Sequence, residues 1–223
     1  MLSTNRFNQL IFVSGSLAIV SSLAGWFSSF ALFKPLTTII VIVFAITKAS
    51  DLIRRDYVLL IGALIFSLLG DIALLFDSGF IYGLSSFLIA HLLFIVLFRY
   101  WAEQKLNWLA TLCLAVVAAV VFTLLFPSLG NMSLPVSAYV TVIGLMAAWG
   151  CSAYLHESGK PEGLVMLGAL VFLASDTALA INRFAFPFVL APFVVLSLYW
   201  LALTLIVNGA VLKSQGVAQV SLP

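Results

Sequence analysis

Charge is what this sequence has least of. Lys and Arg supply ten residues and Asp and Glu eight, together 8% of the 223 positions, where a soluble domain averages about 25%. With so few charges to cover a chain that is 64% apolar, a water-soluble globule is excluded. A net charge of +2 spread along the sequence also excludes the dense basic stripe that a nucleic-acid partner requires. Cysteine is equally scarce. Cys113 and Cys151 each fall within a hydrophobic stretch, which offers neither a disulfide framework nor a zinc site and suits small buried side chains. Three catalytic signatures are missing as well: no serine sits in a G-x-S-x-G elbow, and neither H-E-x-x-H nor G-x-x-x-x-G-K-[ST] occurs. Serine-lipase, zinc-protease and ATPase chemistries thereby lose their usual support.

What the sequence holds in abundance is long apolar runs. A hydrocarbon layer of about 30 Å takes roughly 20 apolar residues of helix per crossing, because no water is there to pair stray backbone groups. Eight segments fit: residues 10–30, 35–48, 57–76, 80–100, 107–126, 136–156, 163–182 and 191–212. The expectation is an all-α polytopic membrane protein, a bundle of eight transmembrane helices forming one integral membrane domain over residues 1–223. The connections are short and rich in turn formers, as in Asp77-Ser78-Gly79 and Glu157-Ser158-Gly159-Lys160-Pro161. Leu10–Val20 resembles a signal-peptide core, but the run continues to Phe30 and only Arg6 precedes it, which predicts a retained first helix. With the N-terminus inside, Arg6, Lys48, Arg54, Arg55, Arg99, Lys105, Lys160 and Lys213 lie on the cytoplasmic side, and only Lys34 and Arg183 lie opposite. The positive-inside rule then places both termini in the cytoplasm of a cell-membrane protein.

Residues 62–74, GALIFSLLGDIAL, and residues 168–179, GALVFLASDTAL, look like copies of one helix. Such similarity between spans three and seven fits two four-helix halves in the same orientation.

Three ionisable groups remain well inside spans: Asp71, Asp176 and His91. An ionised Asp at the centre of a membrane helix costs about 2.5–3.5 kcal/mol on the insertion scale, so such residues face a protein interior or a wet cavity. Each acid lies about 14 residues along its span, or roughly 21 Å, so the two share one depth in the outer half. Ser67 precedes Asp71 by one turn and Ser175 directly precedes Asp176, giving hydroxyls within reach of each carboxyl group. Two carboxyls in one sheltered place can share a retained proton. His91 lies some 7–9 Å deeper; one histidine is a poor basis for a metal site, which usually needs three protein ligands. Lys34-Pro35 is expected to open span two, with Lys34 snorkelling or holding a lipid phosphate. Tyr199 carries a hydroxyl that needs a partner if buried.

These positions resemble the YhhN-like membrane family, whose characterised members are lysoplasmalogenases. The resemblance rests on Lys34-Pro35-Leu36, the run Phe66–Asp71, Phe80 and Gly83 leading to Phe87–His91, Gly168–Phe172 with Ser175-Asp176, and Tyr199 near Ala202. It covers most of residues 33–206. The family pattern carries a polar residue after the alanine matching Ala202, where this chain has Leu203. The resemblance implies hydrolysis of the vinyl ether of a lysophospholipid substrate to a fatty aldehyde and glycerophospho-ethanolamine or -choline, with no metal or other cofactor. Catalytic roles fall to Asp71 and Asp176, and Lys34, His91, Tyr199, Ser67 and Ser175 would bind substrate. Paired carboxylates suit that chemistry, because one can protonate the alkene while the other stabilises the resulting cation and activates water. A small proton-coupled transporter, or a bundle that binds lipid without turnover, would use intramembrane acids equally well.

Overall fold

The computed structural model describes residues 2–220, with side chains described through residue 216. It contains eight α-helices: α1 (Thr4–Leu23), α2 (Phe27–Lys48), α3 (Arg54–Ala73), α4 (Phe80–Trp101), α5 (Trp108–Leu129), α6 (Ser133–His156), α7 (Lys160–Ala180) and α8 (Ala191–Val220). No strand occurs among the described residues. Six stretches are long and apolar enough to cross a membrane: α2, α3, α4, α7 and α8 each supply one, and α5 and α6 together form a continuous stretch of 49 residues. The chain is a multi-pass all-α membrane protein, and α1, with its serines and amides, is not among these stretches.

Local chemistry sets the helix ends. Ser3 accepts the Arg6 N–H at the start of α1, and Asn107 accepts the Ala110 N–H at 2.9 Å at the start of α5, each satisfying a donor that the helix leaves free. Pro161 occupies the first turn of α7, where its missing N–H is harmless.

The first two helices depart from the expected spans. α1 stops at Leu23 rather than Phe30, because Gly25 turns the chain with φ at +72°, a conformation glycine adopts without steric penalty. Trp26 then starts a new helix, so α2 begins at Phe27 and runs 22 residues instead of opening at Pro35. The Lys34-Pro35 pair consequently lies two turns inside α2, with Lys34 only 5% exposed. Pro35 removes one backbone donor from the helix interior.

Six helices close a ring in the order α2, α3, α4, α6, α7, α8, with α8 returning to α2. α1 packs where α2 and α8 meet, and α5 lies outside, against α6, burying only Leu125 and Leu129. Close approach within each half comes from glycine. A Cβ on Gly70 of α3 would stand 2.6 Å from the Phe87 ring of α4, and one on Gly168 of α7 would meet Ile206 of α8 at 2.7 Å. Small residues at these contacts allow the helices to pack by dispersion where apolar lipid gives no hydrophobic drive. At one end of the ring, buried Asp56 of α3 accepts from Trp101 Nε1 of α4 at 2.8 Å, and buried Glu162 of α7 pairs with Lys213 of α8. Asp71 and Asp176 lie at the other end of the same two helices.

Candidate active site

Asp71 sits in the last turn of α3 and is 1% exposed. Its Oδ2 accepts from Thr38 Oγ1 of α2 at 2.6 Å and from the Tyr199 hydroxyl of α8 at 2.8 Å. The Lys34 ammonium of α2 lies 3.8 Å from Oδ1, and Trp200 Nε1 donates to Thr38 Oγ1 at 3.3 Å. Two hydroxyl donors and a cation aimed at one buried carboxyl group suit its ionised, acceptor-only form.

Asp176, four residues before the end of α7, is surrounded differently. Its Oδ2 accepts a short hydrogen bond from the Tyr139 hydroxyl of α6, and His91 Nε2 of α4 lies 3.7 Å away, beyond hydrogen-bond distance. Among the described residues, no Lys or Arg forms an ion pair with it. His91 is fully buried between the Tyr139 and Phe172 rings, with centroids at 5.3 and 4.7 Å, and neither ring nitrogen has a hydrogen-bond partner among the described residues.

The two environments repeat with the halves of the chain. Each acid is on the third helix of its half, takes a hydroxyl from the second helix of that half, Thr38 or Tyr139, and faces a ring from the fourth helix of the other half, Tyr199 or His91.

Both acids line one cavity of about 250 Å³ with Lys34, Ser175, Asn182, Arg183 and Tyr199, enclosed by Phe30, Leu74, Phe80, Phe87 and Leu196. Lys34 and Arg183, the two basic residues that the positive-inside count sets apart from the rest, both belong to its wall. A second, narrower pocket of about 50 Å³ shares Leu74, Phe80, Phe87, Asp176, Leu179 and Arg183 and continues between α4, α5, α6 and α7 along Val117, Val121, Val140, Ile143 and Leu173. Asp176 therefore stands where a polar chamber meets an apolar one.

Of the residues anticipated from sequence, Asp71, Asp176, Lys34, Tyr199 and Ser175 line the cavity, and His91 sits behind Asp176. The two serines do not hold the carboxyl groups. Ser67 donates back to the Ala63 carbonyl and Ser175 donates across to the Val195 carbonyl of α8, both at 2.9 Å. A helical serine readily satisfies itself on the carbonyl four residues earlier, which explains Ser67. Thr38 and Tyr139 were missed, although each is a buried hydroxyl within an apolar span. Arg183 was counted only as a topological charge.

Comparison with known proteins covers the part of the chain that holds this cavity. The YhhN family model matches residues 29–210. The chain belongs to the YhhN family. Every residue named in the cavity falls inside the YhhN match. Among similar YhhN-type proteins, human lysoplasmalogenase TMEM86A is 33% identical over 66% of this chain and 63% of its own length. Rat lysoplasmalogenase TMEM86B is 29% identical over 86% of this chain and 76% of its own, and the Mycobacterium tuberculosis lysoplasmalogenase is 31% identical over 64% and 56%. The chain thus spans less than two thirds of the length of the human TMEM86A relative it matches. No solved structure matches it.

Proposed function

We propose that this YhhN protein is a membrane-embedded lysoplasmalogenase, hydrolysing the vinyl ether of a lysophospholipid to a fatty aldehyde and a glycerophospho-base. The observation that carries the proposal is that two carboxyl groups with unlike donor sets line one cavity, at its junction with an apolar pocket. The relatives named lysoplasmalogenase add support.

The donor sets suggest the division of labour. Asp176, with no cation beside it, is the general acid; the Tyr139 hydroxyl occupies Oδ2 and leaves Oδ1 to carry the proton. Asp71, held by Thr38, Tyr199 and Lys34, is the carboxylate that stabilises the cation and accepts a proton from water. Asp176 protonates the alkene carbon remote from the ether oxygen and leaves an oxocarbenium ion. Water adds to that ion as Asp71 removes its proton, which gives a hemiacetal. The hemiacetal hydroxyl returns its proton to Asp176 while Asp71 hands its proton to the departing glycerol oxygen. One water is consumed and both carboxyl groups regain their starting state. Preorganised charge in a cavity walled by apolar side chains stabilises the developing cation more than water could.

Lys34, in the cavity wall, balances the charge of Asp71. His91 packs behind the acid, and Tyr199 and Ser175 form the wall against which the substrate lies. Both termini are assigned to the cytoplasm of a cell membrane, with the cavity toward the opposite face.

The test is aldehyde release from an alkenyl-lysophospholipid by purified protein in detergent. Asp71→Asn and Asp176→Asn should each lower kcat by about 10²–10⁴-fold in protein whose folding is unchanged by circular dichroism. Full activity in both variants would remove the mechanism.

A further inference from the structure

We infer that Arg183 is the direct phosphate contact of the substrate and that Asp77 holds its place until the substrate arrives. The inference rests on the lysophospholipid reading above and adds the residue that fixes the lipid's orientation.

α7 does not end cleanly after Asp176. Its last turn widens into a π-helical segment, Ile181–Ala185, closed by the Phe186 N–H on the Ile181 carbonyl at 2.8 Å. This segment carries Arg183 to the wall shared by the polar and apolar pockets. There the guanidinium lies 4.8 Å from the Phe80 ring centroid and 3.7 Å from Asp77 Oδ1. The Asp77 side chain is fully exposed and that of Arg183 is 46% exposed. An ion pair so open is weakened by solvent and salt and is easily exchanged for another anion.

Lys34 is a poorer direct partner. Its ammonium is buried beside Asp71, so a phosphate placed on it would be pressed against a second negative charge in a dry pocket. The Arg183 guanidinium has beside it the fully exposed Asp77, whose charge solvent screens, and presents the planar fork that binds phosphate through two parallel hydrogen bonds.

The spacing also fits. Arg183 follows Asp176 by seven residues, and both side chains line the same two pockets; seven residues at the α-helical rise is at most about 10 Å along the axis. In an alkenyl-lysophospholipid, seven bonds separate the protonated alkene carbon from phosphorus, roughly 8 Å when extended, and a hydrogen bond to the guanidinium covers the remainder. With phosphate on Arg183, the vinyl ether reaches Asp176 and the hydrocarbon chain continues into the apolar pocket between α4 and α7.

Two measurements on the full chain in detergent test this. Binding of a 1-O-alkyl lysophosphoethanolamine, which has no vinyl double bond to hydrolyse, should weaken about tenfold in Arg183→Gln and tighten in Asp77→Asn, while an alkylglycerol without phosphate binds all three proteins equally. In turnover, Arg183→Gln should raise KM for the phospholipid about tenfold with kcat within about twofold. Unchanged lysophospholipid affinity in Arg183→Gln, or an equal loss for the alkylglycerol, overturns the assignment. Displacement by inorganic phosphate as effective as by glycerophosphoethanolamine would also overturn it, marking a free-anion site. Failure of the catalytic reading is distinct, because it appears as absent aldehyde release with the binding differences intact.

Discussion

Tyr139 and Thr38 hold corresponding posts, yet they should respond differently to removal of their hydroxyls. Among the described residues Tyr139 is the single hydroxyl donor to Asp176, whereas Asp71 keeps Tyr199 and Lys34 when Thr38 is lost. A side-chain hydrogen bond in a membrane bundle contributes about 0.6–1.7 kcal/mol, equivalent to about 3- to 18-fold in rate. Tyr139→Phe should therefore lower kcat toward the upper end of that range and Thr38→Val toward the lower end, with Thr38→Val and Tyr199→Phe together exceeding either alone. Single-turnover aldehyde release measures all of these. Lys34→Met should reduce kcat by at least about tenfold while changing KM little, because it leaves the buried Asp71 without its counter-charge. That split, opposite to the one expected for Arg183, separates the cation serving the chemistry from the cation serving the head group.

At the level of the helices, the contact between α3 and α4 is sensitive to a single methyl group. Gly70→Ala would drive a Cβ to 2.6 Å from the Phe87 ring, and Phe87 both lines the cavity and meets the Tyr199 ring edge-on at 5.7 Å. The variant should lower Tm, as overpacking by about 1–3 kcal/mol does, and should lose activity beyond the loss in stability. The turn after α4 is strained in the other direction. Glu103 and Gln104 have φ of 47° and 60°, so Gln104→Gly should raise Tm modestly by relieving a left-handed residue.

The helices also show how far the sequence could be read. Apolar length alone placed α3 to α8 nearly correctly, because lipid forces helix wherever the backbone lacks water. It misplaced the α1–α2 boundary, since Gly25 sits among apolar neighbours and hydropathy carries no record of φ. The acids stood out because a charge in an apolar run is costly. Of their donors Tyr199 was found, but Thr38 and Tyr139 were not, because a lone Thr or Tyr in a span is cheap and common. The internal repeat gives little help: the 105-residue offset from Asp71 to Asp176 carries Thr38 to Ile143, one turn from Tyr139, and His91 to Leu196, one turn from Tyr199. The halves match in helix order but not in register.

For the molecule as a whole, the main rival function is transport, which intramembrane acids and repeated halves also suit. The two differ in what they require of a membrane. A hydrolase should release aldehyde in detergent micelles, where no gradient exists, and a carrier should show activity only in sealed vesicles. The closed ring makes a second demand. Coexpressed fragments 1–105 and 106–223 should regain aldehyde release on reassembly, because the break falls in the α4–α5 turn outside the cavity, and neither fragment alone should show it.

The crossed arrangement around the acids bears on what each half of the chain can build by itself. Asp71 leans on a tyrosine from the later half, and Asp176 faces a histidine from the earlier one. Neither half completes the surroundings of its own acid, so the polar chemistry of this protein exists only once the entire bundle has closed.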